Sequence, residues 1–374
     1  MSGEAVSSAT APRVAVFANG ERLAGVDSFE VDNNTLYHAD TFRLTLCLSE
    51  QAANRDWNWW SLQTEIEIEI LCGYPADPAN ARREDLASLL VGFVDDIEID
   101  PIADEIVMAG RDLTARFIDT KTIEKYQNLS ASDVAKKLAA EHGLTPVVTD
   151  TQGTVGSYYQ IDRVAIQDDR PQWDVLTYLA NVTGNVVYVT GRELHFKPRA
   201  DPAVETPYVL RWQPPADGMG SPVFNAMKLT VQRNLTVAKD IKVTVRSWNQ
   251  KQKKGFTVTA NRVKVRNKTT SKVVRPVGPP QQYSFFFPNL TPDEAQKKAN
   301  QLLKDISEHE VNLNADIPGD PAVSQATVLR LEGTRTAFDQ LYFPASVVHS
   351  YNDGSGYRTA IRAKNSSPES TVMP

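Results

Sequence analysis

Glu65-Ile66-Glu67-Ile68-Glu69-Ile70 is a strict two-residue alternation of glutamate and isoleucine. Only a strand places every second side chain on one face, so the hexapeptide predicts a β-strand with buried isoleucines and glutamates in water. Phe42, Leu44, Leu46 and Leu48, alternating with Arg43, Thr45 and Cys47, show the same period upstream. Downstream, Leu89–Asp100 and Glu105–Ala109 predict a hairpin around Pro101–Asp104, and Gly73–Asn80, interrupted by Pro75 and Pro78, reads as a loop. Strands joined by polar connections over 13–115 predict a small antiparallel barrel or sandwich. Residues 1–12, small and polar, read as a flexible tail rather than a secretory signal.

The period then changes from two to about 3.6. Ser130 with Asp133 reads as a helix cap, Val134, Ala135, Leu138 and Ala139 as the buried stripe, and Gly143 as the left-handed stop. A second helix is predicted over Trp173–Thr183, with Val175, Leu176, Leu179 and Val182 on one face and Gly184 closing it. A hairpin follows, Asn185–Val189 with Leu194–Lys197. Together these predict a compact α+β module over 116–204. Pro198–Gly220 reads as a connecting loop; Gly218-Met219-Gly220 lacks the strand–helix context a phosphate loop needs.

Strand patterns return at Met227–Gln232, Ile241–Arg246, Phe256–Ala260 and Val263–Val265, with Lys251–Lys254 as an exposed turn. A third helix starts at the capping box Thr291-Pro292-Asp293-Glu294 and buries Ala295, Ala299, Leu302, Leu303 and Ile306. The last strands are predicted at 310–317, 328–331, 342–350 and 357–363, and 366–374 reads as a frayed tail. The hairpins near 94–109 and 345–363 are similar in outline, a hint of two related β regions.

Charge is unevenly placed. Lys228–Arg275 holds 14 lysines and arginines against one acid, Asp240, in a chain of net charge −6. Such a block calls for an acidic partner: nucleic acid, a protein surface or another subunit. Its cations alternate with apolar residues on strands, and its aromatics, Trp248 and Phe256, are few for stacking bases, which argues against direct DNA binding. The candidate docking residues are Lys251, Lys253, Lys254, Arg262, Lys264 and Arg266.

Catalytic and cofactor motifs are missing. His38, His142, His195, His309 and His349 show no metal spacing, and there is no nucleophile elbow or Walker loop. Asp95-Asp96 and Asp168-Asp169 point to opposite faces if on strands, so neither makes an acid–base couple and both read as solvated. Trp57, Trp59 and Trp60 read as a packing cluster or subunit contact rather than a sugar platform. Cys47 and Cys72 read as two thiols. No apolar run approaches the roughly 18 residues of a membrane helix. No catalytic residue, metal, cofactor or small-molecule substrate is expected.

Three stretches carry a resemblance: Val91-Gly92-Phe93-Val94-Asp95 with Gly110-Arg111-Asp112-Leu113; Asn128–Val134 with Glu141-His142-Gly143-Leu144; and Trp173–Ala180 with Gly184–Val189 and Leu194-His195-Phe196. Their order is similar to that of the phage late control protein D family, the baseplate hub proteins of contractile tails, and Gly319-Asp320-Pro321 with 328–333 and Tyr342 resembles that family's last barrel. The resemblance covers about 13–365. It implies a mainly β chain with an α+β insert: two tube-like antiparallel β-barrels, 13–115 and 205–248 with 310–365, the α+β module, and a β-rich insert over 249–309 with a helix.

The resemblance further implies a homotrimer that adapts a sixfold tail tube to a threefold central spike, with contacts to the tape-measure protein and the baseplate wedge. The spike is expected to be a separate protein, since the chain ends at Pro374. Such a hub resides in the virion tail after assembly in the bacterial cytoplasm. The hub of a phage-derived contractile injection system fits the same residues, as does the hub part of type VI secretion spikes. From other classes, a nucleic-acid-binding protein using 228–275 and a cell-wall hydrolase are the competing readings.

Overall fold

A computed structural model describes residues 11–34, 37–122, 126, 128–153, 170–198, 206–215, 222–234, 241–249, 254–261, 281–288, 290–307 and 311–365. The chain divides into two compact units: 1–201 with 316–326 and 345–360, and 202–315 with 327–344 and 361–374. Strands dominate both, and a small helical module belongs to the first.

The first unit opens with β1 (Arg13–Ala18), β2 (Glu21–Arg22), β3 (Val26–Asn34) and β4 (Thr41–Cys47). A short helix, α1 (Trp57–Ser61), precedes β5 (Glu67–Gly73) and the hairpin β6 (Ala87–Asp100) and β7 (Glu105–Asp112). All pairs are antiparallel, in the order β3-β4-β7-β6-β5-β1-β2. The alternation works as expected: Ile66, Ile68 and Ile70 join Phe42, Leu44 and Leu46 in the core of this sheet. The glutamate face, however, is not simply wet. Glu67 and Glu69 are half-buried and paired with Arg192 and Arg83, because neighbouring loops lay arginines across that face.

The hairpin turns where expected, with Asp100 opposite Glu105. Asp95 is the extra residue of a β-bulge between Val94 and Asp96. The two strands approach closely at Gly110, where an added Cβ would sit 2.0 Å from the Phe93 carbonyl oxygen and 2.8 Å from the Phe42 ring.

Next come α2 (Thr114–Asp119), β8 (Lys121–Thr122), α3 (Ala131–Glu141), β9 (Thr145–Val148), β10 (Arg170–Pro171), α4 (Gln172–Thr183), β11 (Asn185–Thr190) and β12 (Glu193–Pro198). The Ser130 hydroxyl accepts from the Asp133 amide at 3.1 Å, and the Asp133 carboxylate accepts from the Ser130 amide at 3.2 Å, a complete capping box. Gly143 and Gly184 take φ of 71° and 73°, as the stop positions require. Val134, Ala135, Leu138, Ala139, Leu176 and Leu179 fill the module's core. Val182 departs from the predicted stripe: it lies in the last turn of α4, 40% exposed, beyond the reach of that core. β9, not foreseen, pairs in parallel with β12.

The second unit contributes β13 (Tyr208–Gln213), β14 (Val223–Phe224), β15 (Lys228–Arg233), β16 (Ile241–Asn249), β17 (Lys254–Asn261), β18 (Gln281–Phe286) and α5 (Pro292–Ser307). Four strands follow: β19 (Val311–Pro318), β20 (Leu329–Glu332), β21 (Leu341–Asn352) and β22 (Gly356–Asn365). β13 corrects the reading of Pro198–Gly220 as a loop throughout. Its run Tyr208-Val209-Leu210-Arg211-Trp212 pairs in parallel with β20, and Leu210 is fully buried. That partner lies more than a hundred residues on, which composition cannot see. Gly218–Gly220, Val263–Val265 and the 250–253 stretch lie outside the described residues.

The division between units also runs within strands: β19, β21 and β22 each contribute residues to both. In the first unit β21 pairs with β3, Ser346 opposite Asn34 through Asn352 opposite Ser28. In the second, Leu329 of β20 lies opposite Tyr342.

Candidate partner interface

β16, read from sequence as part of the second barrel, pairs instead with β17 and β18 in a separate three-stranded sheet, β17-β16-β18, backed by α5, so the insert of the second unit begins before residue 249. The Thr291 hydroxyl accepts from the Glu294 amide at 3.3 Å, and the Glu294 carboxylate accepts from the Thr291 amide at 2.7 Å, so α5 starts as expected. Ile241, Val243 and Val245 pack against Ala295 and Ala299 on the inner face. Their alternates, Lys242, Thr244, Arg246 and Trp248, line the outer face. Trp248 is 50% exposed there, with its ring across Gly255: an added Cβ would lie 3.0 Å from the indole.

β18 runs parallel to β16 and sets Phe286 opposite Arg246. Phe286 is 65% exposed. The outer face therefore combines two open aromatic rings with Arg246 and Lys242. Among the described residues neither cation has a carboxylate partner. Cations and open aromatic rings on one face have the chemistry that suits an acidic, partly apolar surface.

Lys251, Lys253, Arg262, Lys264 and Arg266 lie outside the described residues, and Lys254 opens β17 with its side chain undescribed. Phe256 turns away from Trp248 and packs, half-buried, toward α5. Phe286 was missed because it follows the basic block by 11 residues and reaches Arg246 only through parallel pairing. Its one sequence signal was alternation with Tyr283 and Phe285, both turned toward α5.

The other sequence candidates separate into structural roles. The tryptophans do not act as one cluster: Trp60 is fully buried, Trp59 packs edge-on against it at 4.7 Å beneath Arg55, and Trp57 is 58% exposed. Asp95 is not merely solvated. Arg111 donates to it through Nε at 2.7 Å and Nη2 at 2.8 Å, and to Asp119 at 3.0 Å, and these bonds raise the guanidinium's already high pKa. Asp168, Asp169 and His309 lie outside the described residues.

His142 meets Gln172 Oε1 at 2.5 Å, and His195 stacks on Tyr188 at 4.7 Å. Burial holds His349 near a pKa of about 4, hence neutral, between the Val323 carbonyl and the Tyr357 hydroxyl. Cys47 and Cys72 are free thiols, and burial pushes Cys72 up to about 12. Among the described residues no three His, Cys, Asp or Glu are placed to hold a metal ion, and no helix is long and apolar enough to cross a membrane.

A less visible feature is a pair of buried carboxyls. Asp40 Oδ2 accepts from Asn33 at 2.7 Å and Oδ1 from the Asn34 amide at 2.8 Å, yet burial raises its pKa to about 7. Asp112, whose amide donates to the Asp40 carbonyl, accepts from the Thr114 hydroxyl at 2.8 Å. Burial and the nearby Asp40 raise it well above the carboxylate range. These groups brace the ends of β4 and β7.

No protein-family model and no curated protein matches this chain. Its fold is that of bacteriophage tail proteins and of a type VI secretion system component. The tail protein of Neisseria meningitidis MC58 aligns with a TM-score of 0.66 at 15% identity, over 95% of this chain and 97% of that one. The 43 kDa tail protein of prophage MuSo2 from Shewanella oneidensis gives 0.62 at 14% identity, over 96% and 99%. A component of the Escherichia coli type VI secretion system, structurally similar to the T4 tail proteins gp27 and gp5, gives 0.53 at 10% identity, over 96% and 79%.

Proposed function

We propose that this chain is the structural baseplate hub of a contractile phage tail: a non-catalytic homotrimer that adapts the sixfold tail tube to a threefold central spike. The observation that carries this reading is end-to-end agreement with two tail proteins, each covered over nearly its whole length. In this reading each subunit supplies two tube-like barrels, so three subunits offer six. The α+β module and the insert decorate the ring. Tube, spike, tape-measure and wedge proteins are its partners, and the virion tail is its place after assembly in the host cytoplasm. A phage-derived injection system would use the same hub, as the type VI likeness suggests. Light scattering and native mass spectrometry test the assembly: the expected mass is three times the 41.4 kDa chain. A strictly monomeric protein, even with tube and spike proteins present, overturns the proposal.

One observation favours a second reading. Trp248 and Phe286 flanking Arg246 on one open sheet face have the composition of a base-stacking platform. Titration with single-stranded DNA at low salt decides it; no binding there removes nucleic acid as the partner.

A further inference from the structure

Four arginines line one depression of about 310 Å³ in the first unit: Arg13, Arg22, Arg82 and Arg83. Arg83 pairs with Glu69 while lying over the Phe17 ring at 4.8 Å, and Arg82 pairs with Glu84 at 3.3 Å. Arg13 reaches only carbonyl oxygens, those of Pro78 at 2.7 Å and Pro12 at 3.3 Å. Among the described residues, neither Arg13 nor Arg22 has a carboxylate within 4 Å. Two uncompensated guanidiniums thus share a concave surface with two compensated ones. Planar guanidinium forks select carboxylate or phosphate oxygens.

The same depression borders an unpaired strand edge. β1 pairs with β5 along its whole length, but on its other side β2 covers only Phe17 and Ala18. The Leu23 amide donates to the Val16 carbonyl at 2.8 Å, so Val16 turns its backbone groups to that side. Val14, two residues back, turns its N–H and C=O the same way and meets no strand among the described residues. Val16 faces the sheet's core, so Arg13, Ala15 and Phe17 face outward, into the depression. An extended chain added beside β1 would bond Val14 and present every second side chain to the arginines.

We propose that this edge is a docking site for an extended acidic segment of a partner protein, held by strand addition to β1 at Val14 and by carboxylates on Arg13 and Arg22. The open backbone edge decides for a polypeptide over a free phosphate or a lipid headgroup, which offer no ladder of hydrogen bonds. The site does not depend on the trimeric hub reading.

The probe is a fluorescent, acetylated peptide of alternating glutamate and valine, titrated by anisotropy into the full chain. Three comparators accompany it: the glutamine-for-glutamate peptide, a peptide N-methylated at alternate residues with its charges intact, and inorganic phosphate as competitor. The expected result is saturable binding. At least tenfold should be lost with the glutamine peptide, with the N-methylated peptide, and in R13Q/R22Q. Arg22→Gln alone, at an exposed position whose side chain makes no ion pair among the described residues, guards against misfolding and should weaken binding at an unchanged melting temperature. Absence of binding overturns the proposal, as does equal binding by R13Q/R22Q. Equal affinity for the N-methylated peptide, or displacement by phosphate at matching concentration, reassigns the depression to a simple oxyanion site and overturns it equally.

Discussion

At the scale of single residues, Asp40 shows how burial reverses ordinary carboxylate behaviour. With a folded pKa of about 7 against an ordinary carboxyl value of 3.8, the folded state holds a proton that the unfolded state releases. Its contribution is complete below the unfolded value and is lost as pH rises toward 7. The expected outcome is that Asp40→Asn becomes more stable relative to the parent protein as pH increases from 4 to 8, by a few kcal/mol at about 1.4 per pKa unit. Asn33 can turn its amide to donate or accept, so the variant retains its bonds. Urea midpoints of both proteins across that range check it; a difference independent of pH would show that the carboxyl is already ionised in the fold. Nothing in the local sequence announced this residue. A lone Asp before a strand reads as a surface acid until Asp112 and Asn33 are brought beside it.

Among the elements, α3 was legible at both ends and α5 at its start because their signals are local, whereas the short helices α1 and α2 were not foreseen. Ser130 with Asp133 and Thr291 with Glu294 form the bonds their spacing implied. Ser130→Ala should therefore cost about 1 kcal/mol, read as a lowered melting temperature with an unchanged circular dichroism spectrum, and Ser130→Asp should recover most of it. A neutral Ser130→Ala would mean that tertiary packing, not the cap, holds the start of α3. Strands were legible where alternation was clean, as at Glu65–Ile70, but β9, β13 and β18 were not. Each is paired in parallel with a strand distant in sequence. The motif glycines tell a related story: Gly92 and Gly110 sit where β6 and β7 leave no room for a Cβ, so that part of the hub-like signature is packing rather than chemistry.

For the whole molecule, two residues of the basic block, Lys242 and Arg246, take on a location, the outer face of β16. Trp248, Arg246 and Phe286 share an exposed face that contributes nothing to the core beneath it. W248A/F286A is expected to leave the monomer's melting temperature within a degree or two while weakening assembly at least tenfold, measured by sedimentation over a dilution series. Charge reversal at Lys251, Lys253 and Lys254 is expected to act in the same direction, leaving the monomer folded. Normal assembly of both variants would place the contact elsewhere. By itself the amino-acid sequence determined the β character, the capped helices and the presence of a basic block, since each follows from periods and spacings within one segment. Only the tertiary structure decided which segments pair across a hundred residues, how the last strands are divided between units, and which side chains share a surface. Strand pairing and burial depend on partners far along the chain. The two-residue alternation of Glu65–Ile70 gives a strand its faces, while its neighbours determine that Arg83 and Arg192 cover the glutamates.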